Sequence, residues 1–135
     1  MLSAQGVNSY GIKLRSNGRE KQMDKAGRVD KYKSCFTLGR NLIAEKGNRV
    51  VYLRVINPAG EVVSAGGDMS NFTTKDGNSL QFSEKKQVYY ENENIDMCIY
   101  VDAPEESAVG VYNIEIYCEG LLIGTDAFEL EDGLF

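Results

Sequence analysis

The chain has no histidine. That removes the side chain that most often serves as a general base near neutral pH, together with the commonest imidazole metal ligand. It also excludes Ser–His and Cys–His nucleophile pairs. Tryptophan is absent too, and only two prolines occur in 135 residues. No apolar run approaches the roughly 18 residues of a membrane-spanning helix. The start, Met1-Leu2-Ser3-Ala4-Gln5, has neither the basic nor the apolar region of a signal peptide. The three cysteines, Cys35, Cys98 and Cys118, form no CxxC pair and have no zinc-site spacing.

What remains is a globular composition, 42% hydrophobic and 26% charged. The apolar residues are rich in Val, Ile, Tyr and Phe, which suit a pleated, half-buried surface. The length is enough for one compact domain. We therefore expect one β-sandwich domain over residues 1–135, as a fragment of a longer protein.

The period-2 pattern predicts strands along most of the chain. The first covers 7–14. Polar residues from Arg15 to Val29 follow, read as a long exposed connection or an irregular edge strand. In Asp30–Leu38, Tyr32, Ser34, Phe36 and Leu38 share a face. Residues 41–47 could form one helical turn ended by Gly47. Arg49–Ile56 is the clearest strand, with Val51, Leu53 and Val55 pointing one way. Asn57-Pro58-Ala59-Gly60 is a turn, since Pro58 presets φ and Gly60 accepts a positive one. Glu61–Ser64 should return as the second arm of a hairpin. Short strands are expected at 71–74, 80–83 and 87–90, with longer ones at 95–101, 111–118 and 121–130. In the penultimate strand Tyr112, Ile114, Ile116 and Cys118 face the core. Eight or nine strands without a packed helix indicate an all-β, immunoglobulin-like or Greek-key sandwich. Gly110-Val111-Tyr112 has the form of a tyrosine corner, in which a hydroxyl bonds backbone a few residues upstream.

These strings resemble a known domain: Phe36-Thr37-Leu38, Val51 through Gly60, Val88 through Asn92, Met97-Cys98-Ile99-Tyr100, Gly110 through Gly124, and Phe128-Glu129-Leu130. It is an uncharacterised C-terminal β-domain of Bacteroidetes that follows a coiled-coil region and attracts chromosome-partition names by analogy. The resemblance spans roughly residues 7–131. It implies a sandwich fold and a place in the cell envelope or periplasm, and it carries no catalytic residues.

Functional candidates are few. Tyr89, Tyr90, Tyr100 and Tyr117 could form a sugar-stacking face, or could simply cover a sheet. Tyr112, Pro58, Gly60 and Gly110 are structural. Glu91–Asp96 offers oxygen ligands but lacks an EF-hand pattern, so no metal and no cofactor are expected. The three cysteines are expected to be free thiols, with Cys35–Cys98 as the alternative if their strands are neighbours in one sheet. Charge is uneven: residues 1–49 carry a net of +7 and residues 50–135 a net of −12. The basic residues Lys13, Arg15, Arg19, Lys21, Lys25, Arg28, Lys31 and Lys33 are expected either to be compensated within the fold or to meet an acidic partner or a second copy. Nucleic acid is not expected, because no aromatic platform or reader helix accompanies them and the domain is acidic, with pI about 4.8. The leading expectation is a non-enzymatic module for protein interaction, self-association or envelope scaffolding, without membrane insertion. The alternative is a carbohydrate-binding module using surface tyrosines.

Overall fold

The computed structural model describes residues 2–39, 44–64 and 70–133. They form ten strands: β1 (Ala4–Leu14), β2 (Glu20–Gln22), β3 (Lys31–Leu38), β4 (Gly47–Ile56), β5 (Ser70–Thr73), β6 (Ser79–Phe82), β7 (Glu84–Tyr90), β8 (Ile95–Asp102), β9 (Gly110–Cys118) and β10 (Leu121–Leu130). Two antiparallel four-stranded sheets, ordered β2-β1-β3-β8 and β10-β9-β4-β7, make the sandwich, and β5 and β6 form a separate hairpin. The all-β sandwich expected from alternation is the architecture observed.

Successive side chains point to opposite faces of a strand, and that rule places the core. Tyr32, Ser34, Phe36 and Leu38 of β3 are all buried, as are Val51, Leu53 and Val55 of β4 and Tyr112, Ile114, Ile116 and Cys118 of β9. Burying one such Ile or Leu contributes about 1.5–3 kcal/mol relative to leaving it exposed. Ser9 and Ser34 are the polar residues among these buried positions, and their hydroxyls satisfy each other at 2.8 Å.

The connection after β1 is less exposed than expected. Only three residues pair as β2 at the sheet edge, and a short 3-10 turn, Ala26–Arg28, follows. Met23, Ala26 and Val29 then turn inward and are buried, closing one end of the core. The Ala26 amide is held by the Glu131 carbonyl at 2.9 Å.

Residues 41–43 of the expected helical turn lie outside the described residues. The remainder, Ala44–Lys46, is irregular, and Gly47 opens β4. The Asn57–Gly60 turn is formed. The Asn57 side-chain oxygen accepts from the Ala59 and Glu61 amides at 3.0 and 2.9 Å, and Gly60 has φ +82°. The returning arm, however, makes only one bridge, Ile56 with Val62. Ser83 takes the next place along β4, its amide bonding the Leu53 carbonyl and its hydroxyl accepting from the Val55 amide.

The turn also supports the start of β9. Gly110 has φ +136°, and a Cβ there would sit 2.9 Å from the Pro58 ring. Two residues on, the Tyr112 hydroxyl donates to the Ala108 carbonyl at 2.7 Å. Its ring lies parallel to Phe128, with centroids 5.1 Å apart. This is the geometry of a tyrosine corner.

A second apolar layer covers the outer face of the β10-β9-β4-β7 sheet. Tyr52 stacks on Phe72 with centroids 4.5 Å apart, and Phe82 and Tyr117 close around them. The β5–β6 hairpin is thus a flap over that sheet.

Candidate functional site

Seven of the eight basic residues separate into two sets once their register is known, and the eighth, Arg28, ends the 3-10 turn. Lys25, Lys31 and Lys33 are neutralised by Glu131, Asp102 and Glu20 at 2.9, 3.0 and 2.7 Å. These ion pairs are the internal compensation that the charge pattern allowed.

The β1–β2 hairpin is different. Lys13 lies directly across from Lys21, and Leu14 across from Glu20. The Arg15 amide bonds the Arg19 carbonyl at 2.9 Å, which continues the same register around the Ser16-Asn17-Gly18 turn. Gly18 supplies the positive φ, +81°, that such a three-residue turn requires. By alternation, Lys13, Arg15, Arg19 and Lys21 share one face of the hairpin, and Leu14 and Glu20 share the other. Directly opposed like charges destabilise a strand pair. Among the described residues, no acidic side chain forms an ion pair with any of the four.

The opposite face explains how the hairpin is held despite this repulsion. Glu20 accepts from the Lys33 ammonium and the Tyr100 hydroxyl, both at 2.7 Å. The Lys33 ammonium also lies 5.1 Å from the Tyr100 ring centre and 6.0 Å from that of Tyr10. The hydrogen bonds from Lys33 and then Tyr100 hold the Glu20 carboxyl below the usual carboxylate range, and Glu20 in turn raises Lys33.

The hydrogen-bond phase decides which backbone groups β2 offers. The Met23 amide bonds the Gly11 carbonyl at 2.8 Å, so residues 19, 21 and 23 point their backbone toward β1. Glu20 and Gln22 therefore present theirs to the open edge of the sheet.

The other edge of this sheet is β8. Cys35 and Cys98 are directly opposed in the β3–β8 register and form a disulfide. This corrects the expectation of three free thiols. Both cysteines lie on the outer face of neighbouring strands, an adjacency that the sequence pattern does not reveal. The Cys98 carbonyl points to the free side of β8, where the Lys86 ammonium donates to it at 3.2 Å. Cys35 and Cys98 therefore sit opposite each other at a non-hydrogen-bonded position, where side chains approach most closely. The same phase accounts for the Thr37–Asp96 bond at 2.6 Å and the Lys31–Asp102 ion pair. Cys118 is free and buried, and burial pushes its thiol up to about 11.

The four tyrosines do not make a common stacking face. Tyr90 is fully buried in the core. Tyr89 is 55% exposed on the outer face of the β7-edged sheet, and Tyr100 is 37% exposed on the outer face of the opposite sheet. Tyr117 lies half-buried under the flap, its ring 5.1 Å from Phe72. Tyr89 and Tyr90 are adjacent in one strand and so must face opposite ways. A cavity of about 630 Å³ opens beside the flap, between Asp76, Asn78, Tyr117 and Leu122. Its Arg54 is occupied by Glu115 and by the Gln81 carbonyl. No group of three or more acidic or cysteine side chains able to hold a metal occurs among the described residues.

A family profile for a domain of unknown function matches residues 5–131. The chain belongs to the DUF8428 family. No curated protein matches it. Among solved structures, this DUF8428 domain is similar to an immunoglobulin-like protein from Pseudomonas aeruginosa, at 14% identity and TM-score 0.41, with 97% of each chain covered. It is also similar to the alkylpurine DNA glycosylase AlkC of Pseudomonas fluorescens bound to DNA with an abasic-site analogue. There the identity is 12% and the TM-score 0.39, and 94% of this chain covers 31% of that one. For the DUF8428 domain, these likenesses carry no functional argument. The cationic hairpin was present in the sequence as part of a run of basic residues, but only the assembled sheet sets Lys13, Arg15, Arg19 and Lys21 apart from the neutralised lysines.

Proposed function

We propose that the domain is a non-enzymatic protein-interaction module of the cell envelope, whose contact surface is the cationic β1–β2 hairpin. The observation that carries this reading is the set of four like charges on one face of an exposed hairpin. They repel across the strands, and an external anion would relieve that repulsion. The surface disulfide supports an oxidising compartment, because such bonds persist outside the reducing cytoplasm. In this setting the domain serves as the binding head of a longer envelope protein, consistent with the coiled-coil neighbour implied by the resemblance. The scattered tyrosines give the carbohydrate alternative no platform.

The test is retention of an envelope protein by the immobilised, oxidised domain. Retention is expected at low salt, with loss at high salt and in Arg19→Glu/Lys21→Glu. Equal retention by the variant overturns the assignment of the surface.

A further inference from the structure

We infer that the partner presents an extended acidic peptide, which adds to the free edge of β2 as a further strand with carboxylates at alternate positions. This rests on the interaction reading above and specifies its chemistry. Three features of the hairpin point to it.

β2 is an edge strand whose outer side pairs with no other strand among the described residues. The backbone groups of Glu20 and Gln22 face that side, by the phase set by the Met23–Gly11 and Arg15–Arg19 bonds. An incoming antiparallel strand would hydrogen-bond to these two residues. Its residues opposite Lys21 and Arg19 would then occupy non-hydrogen-bonded positions, where facing side chains come closest.

The spacing matches as well. Arg19 and Lys21 are two residues apart on one strand, about 6.8 Å along its axis. An extended peptide repeats its same-face side chains at that interval. Alternate Asp or Glu would therefore meet Lys21 and Arg19 directly, with Lys13 and Arg15 one strand further in. Backbone pairing supplies affinity and the alternate side chains supply selection.

Among the described residues, the cationic face of the hairpin, Lys13, Arg15, Arg19 and Lys21, carries no ring on which bases or sugars could stack. Tyr10 and Tyr100 lie over Lys33 on the opposite face of the sheet. The protein's net charge of −5 also disfavours a broad anionic surface, such as a membrane or a duplex, more than a short peptide that meets only the local field.

The experiment titrates the oxidised, full chain with two blocked octapeptides of equal charge. One alternates Glu and Thr; the other has four Glu followed by four Thr. Polyphosphate and vesicles containing anionic phospholipid serve as competing probes. The alternating peptide should bind at least tenfold more tightly than the blocked-order one. It should weaken at least tenfold in Arg19→Glu/Lys21→Glu and on raising salt from 50 to 300 mM. It should also shift the Glu20 and Gln22 amide resonances of the wild type. Gln22→Pro removes an outward amide without removing a β1–β2 hydrogen bond, and it should abolish binding while leaving the thermal midpoint nearly unchanged.

Equal affinity for the two peptides, or undisturbed Glu20 and Gln22 amides, overturns strand addition. Tighter binding to polyphosphate or vesicles overturns a peptide partner. A domain that retains an envelope protein through Arg19 and Lys21 yet ignores both peptides defeats this inference alone. Failure of the wild-type domain to retain an envelope protein at low salt, or equal retention by Arg19→Glu/Lys21→Glu, defeats the reading beneath it.

Discussion

Removing the Cys35–Cys98 link, by Cys35→Ala/Cys98→Ala or by reduction, should destabilise the domain substantially. The cysteines are 63 residues apart in sequence, and closing a loop of that size in the unfolded chain is worth about 4 kcal/mol in the chain-entropy estimate. The native state needs no rearrangement to form the bond, because β3 and β8 are already paired in register at this position. Both side chains are only partly buried, so their loss adds little cavity penalty. The net effect should be about 2–4 kcal/mol, which lowers the thermal midpoint by roughly 10 °C. Guanidinium unfolding monitored by circular dichroism, with and without reductant, measures it, and the reduced wild type should coincide with the double variant. Thiol counting in denaturant provides the independent check: one reactive thiol without reductant, from Cys118, and three with it. Three thiols in protein purified without reductant, or a midpoint indifferent to reductant, would refute the reasoning.

Tyr112→Phe should cost about 1 kcal/mol, the usual worth of one hydrogen bond, whereas Tyr100→Phe, which loses a more exposed bond to Glu20, should cost less. Equal unfolding midpoints for the two variants would contradict the corner. Glu20 has a lowered native carboxyl, so its contribution is present above the unfolded carboxylate value of about 4.3 and is lost as the pH falls through the folded one. Protection of the β2 amides, taken against the intrinsic exchange rate at each pH, should accordingly fall on acidification in the wild type and stay level in Glu20→Gln. Native Cys118, raised to about 11, should resist iodoacetamide at pH 8 and react promptly once the protein is unfolded. Fast native alkylation would argue against its burial.

The parts of the fold set by local alternation were legible. Tyr32, Ser34, Phe36 and Leu38, and likewise Tyr112 through Cys118, follow the pleat, and burial of one residue fixes the others. The Asn57–Gly60 turn was legible because Pro and Gly act through their own φ preferences. What stayed hidden depends on which strands are neighbours. The disulfide requires β3 beside β8, two strands whose cysteines are 63 residues apart in sequence. The split of the basic segment requires the cross-strand partners of each lysine, since Lys33 finds Glu20 on β2 while Lys13 finds Lys21. The tyrosines show a further limit: alternation says that Tyr89 and Tyr90 part company, and only the assembled sheets say which of them goes inside.

The β5–β6 flap gives the molecule a front and a back. Tyr52 and Tyr117 would otherwise leave an oily sheet surface able to stack on another sandwich, and Phe72 and Phe82 finish that side. The opposite sheet has no such cover among the described residues: β2 is exposed throughout, and the disulfide is only partly buried on the outer face. The two faces of the sandwich are therefore chemically unlike, one finished by its own aromatic hairpin and the other carrying the disulfide and the Glu20–Lys33–Tyr100 cluster.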